Sequence, residues 1–202
     1  MQTKLVYVLT CAPEATYIEQ ALISIWSARY HNPDAHIVLL VDDLTNQLLV
    51  GKRAEVLEYI TEKVVIPFED TNATMMYRSR WIKTSVRQLI NGDFLFIDCD
   101  TVVAQSLADA DNLDCEIGAV LDTHRPVSAF QYSERINLVK FAAACNWDFS
   151  GVEKYYSSGV LYVKDTKNAH QFYQFWHKNY LHSSQYGVNI DQISMEKASQ
   201  EV

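Results

Sequence analysis

Asp98 and Asp100 stand one residue apart, directly after the apolar run Phe94-Leu95-Phe96-Ile97. That run follows Asn91-Gly92-Asp93, a turn signal, and reads as a short buried strand. Side chains at i and i+2 share a side on an extended chain, so the two carboxylates can aim at one point past the strand's C-terminal end. Ligands of open α/β sheets bind at that edge. Two hard oxygen donors there suit magnesium or manganese, shared with substrate phosphates. An Asp-x-Asp pair also serves as a turn or a helix cap; the strand in front of it favours the metal. Cys99 points the opposite way and packs as a small hydrophobe.

The elements that position this pair alternate. Leu5 to Thr10 reads as a strand, and Ile18, Leu22, Ile25, Trp26 and Arg29 follow helical spacing. Ile37 to Val41 is a second strand, closed by Asp42-Asp43. Leu48, Leu49, Val56, Leu57 and Ile60 predict one helix, weakened in its middle by Gly51. Val64-Val65-Ile66-Pro67 is a third strand. Met75, Met76, Ile82, Val86, Leu89 and Ile90 supply the apolar face of the helix that precedes the Asp98 strand, and Asn91-Gly92 ends it. This alternation predicts an α/β fold with a mostly parallel central sheet and helices on both faces. The second half is less regular. It holds strand patterns at Glu116–Leu121 and at Tyr155–Val163, the latter interrupted by Ser157-Ser158-Gly159. Helix patterns run over Tyr132–Cys145 and Thr166–Leu181, and the loop 122–126 carries His124 and Arg125. Glu196 to Val202 has no closing signal.

The 202 residues, 49% apolar and 21% charged, fit one folded unit spanning 1–202. A net charge of −8 attracts neither nucleic acid nor an anionic membrane through the overall field. Any phosphate must then be held by a metal or by a few local cations. No apolar run is long enough to span a membrane, and the N-terminus is too short and polar for a secretory signal. Four widely spaced cysteines without a Cys-x-x-Cys pair read as reduced thiols of a cytoplasmic protein.

The arrangement resembles a GT-A-type nucleotide-diphospho-sugar glycosyltransferase, similar to glycosyltransferase family 8. Four segments carry the resemblance: Tyr7-Val8-Leu9-Thr10 with Tyr17; Arg78-Ser79-Arg80-Trp81-Ile82-Lys83; Phe96-Ile97-Asp98-Cys99-Asp100-Thr101-Val102-Val103; and Tyr156-Ser157-Ser158-Gly159-Val160 followed by Asp191-Gln192. It implies a Rossmann-like GT-A fold with a nucleotide-binding half, 1–103, and a sugar and acceptor half, 104–202. It further implies a nucleotide-sugar donor, UDP-linked, a divalent manganese or magnesium ion, and a glycan, lipid or protein acceptor.

The resemblance also implies roles. Thr10, Cys11 and Tyr17 would hold the nucleoside, with Tyr17 as a stacking ring. Arg80 and Lys83, three apart and on one helical face, would reach the diphosphate, with Arg78 a third candidate and Arg87 able to serve either face. Asp98 and Asp100 would hold the metal. Ser158 and Gly159, where glycine allows close approach to the backbone, would line the sugar or acceptor side. Asp191 and Gln192 would stand beside the donor sugar as the catalytic pair. Against the family pattern, Ser157 stands where asparagine is common, and the last histidine, His182, precedes Asp191-Gln192 and lacks the context of the usual third metal ligand. The chain ends soon after that pair, where such enzymes continue, so it reads as a truncated chain or a minimal relative. Two alternatives remain: a haloacid-dehalogenase-like phosphatase with Asp98 as nucleophile, and a non-catalytic relative that binds sugar nucleotides.

Overall fold

The computed structural model describes residues 1–68, 72–124 and 126–202. Six strands form one sheet: β1 (Lys4–Leu9), β2 (Ile37–Asp42), β3 (Glu62–Ile66), β4 (Phe94–Ile97), β5 (Ile117–Leu121) and β6 (Tyr156–Val163). Their order is β3-β2-β1-β4-β6-β5. The first four run parallel. Strand β6 pairs antiparallel with β4, and β5 antiparallel with β6. The sheet is thus the mostly parallel one expected.

Alternate residues of the strands feed two cores. Leu5, Tyr7, Leu9, Leu95 and Ile97 face one side with α1 (Tyr17–His31); Val6, Val8, Phe94 and Phe96 face the other. That second side is covered by α3 (Met75–Leu89), α5 (Lys167–Gln185) and α6 (Asp191–Ser199), through Ile82, Val86, Trp176 and Met195. Strands buried on both faces read as continuous apolar runs, which is why their sequence signal is strong. A smaller cluster of Leu138, Ala142, Phe149, Tyr155 and Ile193 seats α4 (Tyr132–Ala144).

The single helix expected around Leu48–Ile60 is two pieces, α2 (Asp43–Leu48) and a 3-10 segment, Gly51–Glu58. Gly51 has φ +57°, a left-handed conformation that interrupts helical hydrogen bonding. The C-terminal segment from Glu196, which carried no closing signal, continues as helix to Ser199.

Helix α3 is held by ion pairs along its length. Arg78 donates to Asp42, at the end of β2; Lys83 to Asp98, just past β4; and Arg87 pairs with Asp165, between β6 and α5, at 3.4 Å. Asp42 also caps α2 by accepting from the Thr45 N–H at 2.8 Å. Thr74 caps α3, accepting from Tyr77 N–H at 3.2 Å. Of these pairs Arg78–Asp42 is buried on both sides, and removing one of its partners costs about 3–5 kcal/mol because the other is left uncompensated. Arg78 and Arg87 are therefore structural cations. The first is turned to β2, and the second serves the far end of β4, where it also donates to Gly92 O at 2.9 Å.

One acid on α6 is buried without a cation among the described residues. Glu196 is 7% exposed, and burial pushes its carboxyl up to about 7 from 4.5. The folded state then holds a proton that the unfolded chain releases, so stability falls as pH rises from 4.5 to 7 and stays low above. The full effect is at most about 3 kcal/mol. Glu196→Gln should abolish this decline, gaining stability at pH 8 and little at pH 4.5, as read from urea-unfolding midpoints at the two pH values.

Candidate functional site

In the order β3-β2-β1-β4 the chain winds outward from β1 to β3 and then returns to place β4 on the other side of β1. Between β1 and β4 the connections therefore diverge, and a crevice opens past their C-terminal ends. Thr10 follows β1 there and Asp98 follows β4. The cleft is lined by Val8, Leu9, Thr10 and Tyr17 from the β1–α1 region, and by Met75, Met76, Ser79, Arg80 and Lys83 from α3. Asp98, Cys99 and Asp100, Ser158 of β6 and Asp191 of α6 complete it.

Asp98 and Asp100 line the same cleft, but not by strand alternation. Strand β4 stops at Ile97. Asp98 makes one further ladder bond, its N–H donating to Gly159 O at 2.8 Å, and its own carbonyl accepts from Thr101 N–H at 3.1 Å. The segment 98–101 is thus a turn. Cys99 points inward, with its Sγ 3.3 Å from Val8 O. Asp100 is exposed and, among the described residues, its carboxylate has no ion-pair or side-chain hydrogen-bond partner.

At the floor of the cleft lies an ionic cluster. Lys83 Nζ stands 3.0 and 3.2 Å from the two oxygens of Asp98, 3.1 Å from Asp191 Oδ2 and 3.3 Å from Ser158 Oγ, above the Phe96 ring. Ser158 Oγ donates to Asp191 Oδ2 at 2.8 Å, and Arg80 Nε to Asp191 Oδ1 at 3.1 Å. Trp176 Nε1 donates to Asp191 O at 2.8 Å, anchoring the start of α6. Burial works against each charge. For Asp191, Lys83, Ser158 and Arg80 overcome it and hold the carboxyl at about 2. For Lys83, the two carboxylates overcome it and push the ammonium above its ordinary value. For Asp98, burial prevails over Lys83 and raises the carboxyl.

The close approach expected at Gly159 is made by Asp98: a Cβ on Gly159 would lie 3.1 Å from Asp98 Oδ2. Gly159 itself is not in the lining, and neither are two other expected residues, Cys11 and Gln192. Cys11 is buried in the α1-side core, its N–H donating to Thr45 Oγ1 at 2.7 Å, because the chain turns inward after Thr10. Gln192 follows Asp191 on α6, with a buried Nε2 that has no hydrogen-bond partner among the described residues. His182 is also remote, its Nε2–H donating to Cys145 O at 3.1 Å and its ring stacking on Trp147. His124 is exposed, and Arg125 lies outside the described residues. Met76 and Ser79 were not expected in the cleft, although their spacing with Arg80 and Lys83 (i, i+3, i+4, i+7) places them on one helical face.

The donor set can be weighed against a divalent ion. Asp100 offers a free carboxylate and Asp98 one already shared with Lys83; among the described residues no group of three or more His, Cys, Asp and Glu side chains could hold a metal. This fits an ion completed by phosphate oxygens and water, and not one caged by protein groups alone.

No protein-family profile matches the chain, and no curated protein matches it in sequence. Solved structures do match in fold. Galactosyltransferase LgtC, bound to donor and acceptor sugar analogues, superposes with a TM-score of 0.57 at 15% identity, over 98% of this chain and 70% of LgtC. Mouse xyloside xylosyltransferase 1 in its apo form gives 0.60 at 14% identity, over 100% of this chain and 82% of that one. An active-site Gln-to-Glu mutant of LgtC gives 0.53 at 15% identity, over 95% and 68%. The chain has the GT-A fold of these glycosyltransferases.

The low carboxyl value of Asp191 has a consequence for acid stability. A depressed folded value contributes stability that is present above 3.8 and is lost as pH falls towards 2. About 2 kcal/mol is involved. In Asp191→Asn, stability should be lower at neutral pH and should fall less steeply between pH 4 and pH 2, as measured by chemical denaturation along that series.

Proposed function

We propose that this chain is a metal-dependent glycosyltransferase that takes a sugar from a nucleotide-diphosphate donor, UDP-linked, and passes it to a glycan, lipid or protein acceptor. One observation carries the reading: in a GT-A fold, the switch-point cleft brings Asp98, Asp100, Arg80 and Asp191 together, although they come from three parts of the chain. LgtC was crystallised with donor and acceptor sugar analogues, which supports a donor and an acceptor here.

The residues divide the work by their chemistry. Thr10 ties the end of β1 to α3 by donating to Met75 O at 3.1 Å. This shapes the wall where Tyr17, Met75 and Met76 offer an aromatic ring and soft apolar groups to a nucleobase. Arg80 spends Nε on Asp191 but keeps a buried Nη1 without a partner among the described residues. It is the cation with a donor to give to an anion or a sugar hydroxyl. Asp98 and Asp100 would hold a manganese or magnesium ion, which when bound supplies Lewis-acid neutralisation of charge on the leaving nucleoside diphosphate. Asp191, ionised down to about pH 2, has no proton to give at neutral pH and is a weak base. It accepts hydrogen bonds from sugar hydroxyls and places negative charge near the reacting carbon. Gln192 is the amide beside it, and an active-site glutamine is what was substituted in the LgtC mutant.

The phosphatase alternative has little support. Its nucleophile belongs on a first strand, whereas Asp98 follows the fourth and is salt-bridged to Lys83. The non-catalytic reading draws on one observation, that among the described residues no third metal-ligating side chain stands with Asp98 and Asp100.

UDP with Mn2+ should raise the melting temperature, and UDP-sugars should release UDP, while phosphomonoesters should release no phosphate. Stabilisation without turnover would favour the non-catalytic reading. Asp100→Ala should lower Mn2+-dependent UDP affinity by about 100-fold with the melting temperature unchanged, because among the described residues its carboxylate supports no fold contact. Unaltered affinity in that variant would refute the assignment.

A further inference from the structure

We propose that Lys83 is a positioning residue and not a ligand of the donor's diphosphate: its ammonium ties Asp98 to Asp191 and sets the direction in which each carboxylate faces. This rests on the glycosyltransferase reading and assigns a different task to the cation that its helical spacing with Arg80 pairs for phosphate.

A lysine ammonium has three N–H donors and no acceptor. In this cleft all three have takers, namely the Asp98 carboxylate, Asp191 Oδ2 and Ser158 Oγ. The side chain is 8% exposed, with the Phe96 ring 5.0 Å away, so there is no room to swing towards another anion without breaking these bonds. Arg80 contrasts with it: 28% exposed, with a guanidinium nitrogen unbonded among the described residues. The two cations on one face of α3 therefore divide, Arg80 open to ligand and Lys83 committed to protein.

What Lys83 joins is as telling. Asp98 closes β4, Ser158 sits in β6 and Asp191 opens α6. Without the ammonium between them, two carboxylates at the floor of one cleft repel. Asp98 then loses the grip that points it past the strand end, and Asp191 keeps only Arg80 and Ser158. Gly159 belongs to the same device. A Cβ there would press on Asp98 Oδ2 at 3.1 Å, so the carboxylate reaches its place beside Lys83 because residue 159 has no side chain. The ammonium thus acts on the metal-dependent part of ligand binding, through Asp98, and leaves direct phosphate contacts untouched.

The test is UDP affinity with Mn2+ and with EDTA, by NMR-detected titration, for the unmodified protein, Lys83→Met and Lys83→Arg. Lys83→Met should lose at least 10-fold affinity in Mn2+ and less than 2-fold in EDTA, and Lys83→Arg should recover part of the loss. Equal losses in both media would mean that Lys83 touches the diphosphate directly, and would overturn the proposal. If Lys83→Met does not fold, Lys83→Met/Asp191→Asn, which removes one charge of each sign, should show the same selective loss. If the unmodified protein binds no UDP in either medium, the glycosyltransferase reading fails by itself. Melting temperatures of Lys83→Met, Asp98→Asn and their double variant then decide the tie: non-additive shifts support it, and additive shifts overturn it.

Discussion

The floor of the cleft depends on a buried ammonium flanked by two carboxylates. Lys83 alone would be costly at 8% exposure, and Asp98 and Asp191 would repel one another without it. Together they close the charge balance at the point where β4, β6, α3 and α6 converge. The cluster is a constraint on the fold as much as a feature of the site, because no member can move without exposing another's charge. It also sorts the carboxylates of the cleft. Asp191 is locked and ionised, Asp98 is shared, and Asp100 is left free at the rim.

Helix α3 extends the same logic. Its buried cations meet acids delivered by different parts of the chain, Asp42 from β2, Asp98 from the end of β4 and Asp165 from the turn after β6. A protein with net charge −8 thereby concentrates positive charge along one helix beside the cleft. Most of that charge is spent on structure, and of the cations lining the cleft Arg80 retains a donor with no partner among the described residues. An acidic protein can present a local anion site in this way without a basic surface.

Much of the sheet was legible in the residues. Strands buried on both faces demand unbroken apolar runs, and turn residues punctuate them, so β1, β2 and β4 declare themselves. The helix expected across Gly51 failed because a left-handed glycine breaks helical bonding that apolar spacing alone cannot test. The turn at 98–101 replaced an extended continuation, yet both aspartates still reach the cleft. Cys11 shows a related limit: being next to a strand end places its backbone near the edge, but the direction of its side chain follows from the turn that comes after.

The amino-acid sequence by itself determined the strand order along the chain, the strand-end position of Asp98 and the shared helical face of Arg80 and Lys83. These follow from periodicities of two and 3.6 residues and from turn chemistry, all short-range properties. The tertiary structure alone decided partnership: Asp191 meets Arg80 across 111 residues, and Lys83 meets Ser158 across 75. Polar groups so far apart along a chain find each other only when the packing of α3, α5 and α6 against the sheet brings their backbones together. Burial then makes each pairing obligatory, since an ion removed from water must be compensated where it lies.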